Sequence, residues 1–243
     1  MANKTSMRQR NEIKSKPAHS RQRVSEASDD YLKAIFALGG AAGDQVPASE
    51  VAARLNLSGA SVTKMLQKLA SVVPPLLVYE KHHGVRLAKA GREKALEIVR
   101  HHRLIETFLH QVLDYPWDEV HDEAERLEHF ISERFEARIA AKLGHPEFDP
   151  HGHAIPALDG TLPSETSETL AQVTVGGQRK VVSVSDDNPE MLRYLGSQGI
   201  GPGTALKLSE KLPFEGGYRV LLVTSKKSVL LSEPLAAAIL VSV

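Results

Sequence analysis

The sequence predicts a two-part chain, mainly α-helical in its first half and all-β in a small C-terminal domain. Three observations carry this. Apolar residues recur at helical spacing as far as about residue 143. A stretch rich in proline and glycine, 144–167, then interrupts the pattern. Beyond it come short β-type runs separated by glycine turns.

In the first half, Val24–Leu38 carries Tyr31, Leu32, Ile35 and Leu38 on one helical face. Ala48–Leu57 reads as a short helix with Val51, Ala52 and Leu55 inside. Ser58 and Gly59 break it, and Ala60–Ser71 resumes with Val62, Met65, Leu66 and Leu69. Leu76–Lys81 and Val85–Ala88 read as extended segments joined at His82, His83 and Gly84, a hairpin whose glycine permits the tight turn. A long helix is expected from about Lys89 to Leu113, another from Trp117 to about Ile131, and a third to Leu143. Residues 144–167 have a linker composition. After them, Leu170–Val175, Lys180–Val184, Ala205–Leu208, Tyr218–Val223 and Ser228–Leu231 are expected strands, with one short helix at Asn188–Leu195. A β domain of this size is a barrel or a sandwich.

Composition excludes several chemistries. The chain has no cysteine, which removes disulfides, thiolate metal sites, iron–sulfur clusters and a cysteine nucleophile. The longest apolar run, Leu235–Val243, is far shorter than the roughly 18 residues of a membrane span, so no membrane partner is expected. A cytoplasmic protein is expected. Thirty Lys and Arg balance thirty Asp and Glu, which taken alone argues against nucleic acid. Their placement reverses that argument. Residues 1–24 hold seven basic residues and one acid, and 1–23 read as a disordered basic tail. Residues 54–94 hold eight basic residues and two acids, whereas 114–136 hold nine acids and two arginines. Eight of the eleven histidines lie between His101 and His153.

Helix, short helix, tight turn, helix and hairpin is the order of a winged helix-turn-helix. In that arrangement the second helix enters the major groove of double-stranded DNA by its N-terminal end. The residues there are Ser58, Ala60, Ser61, Thr63 and Lys64, small enough for close approach and able to contact bases or phosphates. Lys81, Arg86 and Lys89 flank the hairpin and are candidate phosphate contacts. A plain three-helix core with solvated lysines would give a similar pattern, but without the basic excess.

A second constellation follows. His121, Glu125, Glu128 and His129 fall within an arc of roughly 100° on one helix, beside an apolar stripe of Val120, Ala124, Leu127 and Ile131. His102 and Glu106 lie four apart on the preceding helix, on the face of Val99 and Leu109. Charged groups at the edge of a buried face need partners. Imidazoles and carboxylates converging between helices could cage a divalent cation, and donors without sulfur favour Mn²⁺ or Fe²⁺, with Zn²⁺ able to bind. Read singly, a Glu and a His at this spacing are solvated surface pairs. His101 and His110 are expected to face solvent, and His151 and His153 to lie in the linker.

SDDYLKAIFAL at 28–38, SGASVTKMLQKL at 58–69, YEKHHGVRLAKAGR at 79–92, RHHRLIE at 100–106, VHDEAERLEH at 120–129 and DPHGHAIP at 149–156 resemble the diphtheria toxin repressor and manganese transport regulator family of metal-dependent transcriptional repressors. The resemblance covers roughly residues 24–243. It implies a winged helix-turn-helix at 24–91, a helical metal-binding and dimerisation domain at 92–145, a linker at 146–167 and an SH3-like domain at 168–243. It also implies a homodimer that binds operator DNA and represses metal-uptake genes, with no organic cofactor and no catalysis. One metal site would use Asp30, Glu125, Glu128 and His129, the other His102, Glu106 and His121. Iron-type members have Met and Cys where this chain has Asp30 and Glu125, so the resemblance favours Mn²⁺ over Fe²⁺. Short manganese-type members have Glu where this chain has Lys33, which counts against a closely spaced metal pair. Some iron-type members recruit ligands from the SH3-like domain. Asp187 and Glu190 lie near those positions, and either is also a plausible acid at a helix start. A metal-dependent enzyme and a repressor sensing an organic ligand remain as alternatives. No nucleophile–base motif or phosphate-binding glycine loop supports the former.

Overall fold

The computed structural model describes residues 26–40, 42–163, 166–214 and 216–243. The basic tail expected at 1–23 lies outside them.

The first unit comprises α1 (Glu26–Gly39), α2 (Ala48–Arg54), α3 (Gly59–Ser71) and a hairpin of β1 (Leu77–Glu80) and β2 (Gly84–Leu87). Tyr31, Leu32, Ile35 and Phe36 of α1 bury one face against Val51, Val62, Leu66, Leu69, Leu77 and Val85. Each such Leu or Val contributes about 1.5–3 kcal/mol relative to exposure. Ser58 starts α3 as its N-cap, its Oγ accepting from Ser61 N–H at 3.3 Å. His82 and Gly84 turn the hairpin with φ of 69° and 113°.

Helix α4 (Lys89–Leu113) is the spine of the molecule, and Asp114 ends it in a left-handed conformation. Helices α5 (Val120–Leu127) and α6 (Glu133–Lys142) pack on it. The helix expected at 117–131 is shorter at both ends. Ser132 Oγ accepts from Phe135 N–H as the cap of α6, so the chain must leave α5 before it. Glu128 is therefore the C-cap of α5, and His129 lies in the turn beyond.

Residues 145–163 have a linker's composition but are packed on the helices. Asp149 Oδ1 accepts from the amides of His151 and His153 at 2.8 and 2.9 Å, which folds DPHGHAIP into a tight loop. Ile155 joins Leu104, Ile139 and Ala140 in a small core, and Arg100 donates to Pro156 O at 2.7 Å. Gly152 has φ of 87°, and a Cβ there would lie 2.1 Å from Val182 O, so only glycine lets the loop press against the β domain.

The C-terminal domain contains β3 (Ser167–Thr169), β4 (Gln178–Val184), α7 (Pro189–Gln198), β5 (Ala205–Leu212), β6 (Gly217–Leu222), β7 (Ser228–Leu231), α8 (Glu233–Ala237) and β8 (Ile239–Ser242). Its strands form one antiparallel sheet in the order β3-β8-β4-β5-β6-β7. Register shifts after Val181 and Leu208 bend it around its own core. The strand expected at Leu170–Val175 is turn structure, although Leu170 and Val173 are fully buried. Their hydrophobicity reflects core plugs rather than a pleat. The apolar run near the C-terminus supplies β8, which pairs with both β3 and β4. The domain docks on the helices through Trp117, whose ring faces Gly196 closely enough that a Cβ there would come 3.0 Å from Nε1. Arg193 donates to Asp118 at 3.0 Å beside it. Among the described residues no helix is long and apolar enough to cross a membrane.

Candidate metal centre

The tertiary fold brings acids and imidazoles from α1, α4, α5 and the β4–α7 loop into one continuous array. At one end are Asp30, Glu125, Glu128 and His129. His129 Nε2 lies 3.1 Å from Asp30 Oδ1 and 3.5 Å from Glu128 Oε1. Lys33 Nζ donates to Glu125 at 2.5 Å and to both oxygens of Glu128 at 2.7 and 3.0 Å. His102 connects the two ends. Its Nδ1 lies 2.5 Å from Glu128 Oε2, and its Nε2 lies 3.0 Å from Glu106 Oε1 and 3.2 Å from His121 Nδ1. His102 thus faces both clusters rather than belonging to the second alone.

At the other end, Glu106 is fully buried and His121 Nδ1 lies 3.3 Å from its Oε1. The β domain adds Asp186, whose Oδ2 is 3.5 Å from both His121 Nδ1 and His153 Nδ1. His102, Glu106, His121 and Asp186 can each offer a donor atom within 4.8 Å of the others. So can Asp149, His151 and His153.

The expected roles of Asp187 and Glu190 are corrected here. Asp187 points away and pairs with Arg54, and Glu190 is exposed in the first turn of α7. The carboxylate that reaches the cluster is that of the preceding residue, Asp186, because the chain bends at Asp187 and the two side chains leave it in different directions. His101 is buried, not solvent-facing: its ring nitrogens lie 3.3 Å from Glu128 O and 3.2 Å from Glu136 Oε2, bracing the turn that carries the ligands. His151 is also fully buried, with Nε2 2.8 Å from Trp117 O and Nδ1 3.8 Å from Glu106 Oε1. For Asp149, His151 and His153 the visible signal was DPHGHAIP, whose acid and two histidines alternate along five residues.

The electrostatics favour a positive guest. Burial opposes a charge on His102, but Glu106 and hydrogen bonds to Glu106 and Glu128 outweigh it and push its pKa up to about 9. His121 is likewise disfavoured by burial, yet Asp186 and Glu106 raise it to about 10. Burial also raises the Glu128 carboxyl, but His102 and Lys33 overcome this and lower it. Asp186 falls well below the usual range because His121 and His153 outweigh its burial. Glu106 Oε2, Asp149 Oδ2 and His151 Nδ1 are nonetheless buried without a hydrogen-bond partner. Orphaned acceptor oxygens among imidazoles fit a divalent cation, and an all-oxygen-and-nitrogen donor set suits Mn²⁺, Fe²⁺ or Zn²⁺.

Three family models match the chain in order: the N-terminal DNA-binding domain of iron-dependent repressors at 23–85, their metal-binding and dimerisation domain at 88–157, and the FeoA domain at 168–243. A solved manganese-dependent transcriptional repressor, in complex with manganese, is 40% identical with a TM-score of 0.82, over 88% of this chain and 99% of that one. The chain belongs to the diphtheria toxin repressor and manganese transport regulator family. The diphtheria toxin repressor of Corynebacterium diphtheriae is 30% identical, over 70% of this chain and 71% of its own. The iron-dependent repressor IdeR of Mycobacterium leprae is 27% identical, over 88% and 96%. ScaR with bound Zn²⁺ is 31% identical with a TM-score of 0.74, over 88% and 98%.

In this member of the family, α3 presents Ala60, Ser61 and Lys64 to solvent. Ser58 and Thr63 direct their hydroxyls at the helix itself, Ser58 as its cap and Thr63 donating to Gly59 O at 2.8 Å. Gln67 and Lys68, exposed one turn further on, extend the accessible face. Lys81, Arg86 and Lys89 are exposed on or beside the hairpin.

Proposed function

We propose that the chain is a Mn²⁺-activated homodimeric repressor that binds operator DNA upstream of metal-uptake genes, in the cytoplasm, with Fe²⁺ as the competing activator. The observation that carries this is the array itself: Asp30 of the reading-head unit meets His129 and Glu128 of the helical unit, Glu128 in turn meets His102, and Glu106 Oε2 is left buried and unpaired. A bound divalent cation would supply positive charge to hold these carboxylates together. Asp30 would then tie α1 to α4 and α5, fixing the angle at which α3 meets the major groove. Lys33 already neutralises Glu125 and Glu128, so one centre at that end is favoured over a close pair. The donor set contains no sulfur, which supports manganese, as does the likeness to a manganese-dependent repressor. Homodimerisation is supported by large apolar side chains left exposed on the helical unit, Leu113 (51%), Phe130 (72%) and Phe135 (50%). Two reading heads about 34 Å apart would match successive major grooves.

Asp30→Ala tests the tether. The carboxylate is 43% exposed, so its loss should leave the fold intact while removing Mn²⁺-dependent binding to operator DNA selected by the wild-type protein. Binding that still required Mn²⁺ at the same concentration would sink the tether. Lys64→Ala should weaken binding and reduce the salt slope of log affinity by about one if Lys64 meets a phosphate. An unchanged slope would assign it to a base or to nothing. By linkage, DNA should tighten Mn²⁺ binding by the same factor that Mn²⁺ tightens DNA binding.

A further inference from the structure

We propose that Arg54 and Asp187 are a positioning pair through which the C-terminal domain couples the Glu106–Asp186 cluster to the DNA-reading helices. This rests on the reading that the cluster takes a divalent cation. Asp186 and Asp187 are neighbours with opposite tasks. Asp186 reaches inward to His121 and His153. Asp187 reaches outward and grips Arg54, the last residue of α2, with both oxygens, at 2.8 and 3.0 Å. Such a bidentate fork fixes direction as well as distance. Ser185 Oγ donates to Asp187 Oδ2 at 3.1 Å, which sets the orientation of the carboxylate.

The segment that carries both acids is short and pinned at both ends. It runs from the end of β4 at Val184 to Asn188, whose Oδ1 caps α7 by accepting from Met191 N–H at 3.0 Å. Only three residues separate these points. Val184 N–H is tied to His151 O, and Ser185 N–H to Ala238 O, both at 2.9 Å. A shift of Asp186 would therefore be passed to its neighbour Asp187, whose carboxylate is held from the same segment by Ser185. The domain behind it is anchored to the helical unit by Trp117 against Gly196 and by Arg193 on Asp118. The far end of the linkage is α2, which packs directly on α3. Filling the cluster would thus restrain the reading helices by a route independent of Asp30. Both side chains of the pair are partly solvated, so the coupling is small, up to about fivefold.

Hydrogen exchange on the full chain, with and without MnCl₂, reads this at two places: the 185–188 segment and α2. Wild type, Asp187→Asn, Arg54→Gln and the swapped double variant Arg54→Asp with Asp187→Arg are compared. In wild type, Mn²⁺ should slow exchange in both places. In either single variant it should still slow the 185–188 segment, while the slowing of α2 falls by up to about fivefold. The swapped pair should restore it. Equal slowing of α2 with and without the pair would overturn the coupling alone. If 185–188 did not respond even in wild type, the metal reading of this cluster would fail and the coupling with it. Tighter DNA binding by Asp187→Asn would mean that the pair withholds Arg54 from phosphate, which also overturns the proposal.

Discussion

Glu128→Gln should weaken Mn²⁺ binding by at least about 100-fold and destabilise the metal-free protein by roughly 1–3 kcal/mol. Glu128 is the most enclosed carboxylate at its end of the array, with a fully buried side chain. It accepts from Lys33 through both oxygens, lies 2.5 Å from His102 Nδ1, and approaches His129 at 3.5 Å. Glutamine preserves its shape, so packing is retained and charge is what disappears. Lys33, with a side chain 19% exposed, then has only the more solvated Glu125 as a charged salt-bridge partner. Removing one member of a buried pair costs more than the pair itself contributes, because the remaining charge stays desolvated. Calorimetric Mn²⁺ titration and thermal unfolding read the two effects separately. An affinity within threefold of wild type would remove Glu128 from the ligand set.

The second large effect is on pH dependence. His102 and His121, pushed up to about 9 and about 10 by buried carboxylates, carry protons at neutral pH. A metal ligand must be deprotonated, so both protons must leave when Mn²⁺ binds. Mn²⁺ affinity should therefore rise with pH, by up to about 100-fold per unit between about pH 6.5 and 9, where two protons are displaced. Titrations at three pH values, with proton release measured in buffers of different ionisation heat, give the slope. A slope near zero would mean that carboxylates alone bind the ion. The same shifts act on the metal-free fold. Both folded-state values are raised above the unfolded one near 6.5, so this stabilisation is full below about pH 6.5 and is lost as pH rises through 9 to 10. The metal-free protein should accordingly lose melting temperature across that interval, and the Mn²⁺-loaded protein should lose less.

Much of this architecture was legible in the residues. The helical period of Tyr31, Leu32 and Ile35, the helix break at Ser58 and Gly59 and the His82–Gly84 turn are local signals, and local signals survive folding. The same holds for His102 and Glu106, one helical turn apart, and for His121 and Glu125. Their spacing on helices of known period sets their direction. The errors fell where no period exists. A loop built from proline, glycine and aspartate has the composition of a linker whether it is loose or, as at 145–163, pinned by Asp149 and Arg100. Leu170 and Val173 resembled a strand because burial, not pleating, selects their side chains.

The sequence by itself determined the kinds of element, the separation of basic and acidic segments, and the stock of hard oxygen and nitrogen donors. Only the tertiary structure decided which donors meet. It selected Asp186 over Asp187, turned His151 inward onto Glu106, and placed His102 between two clusters. The reason is geometric. Within a helix, direction follows from residue number, but in a loop it depends on where the backbone bends and on how whole units pack, so a one-residue offset such as Asp186 against Asp187 sends a carboxylate to a different partner.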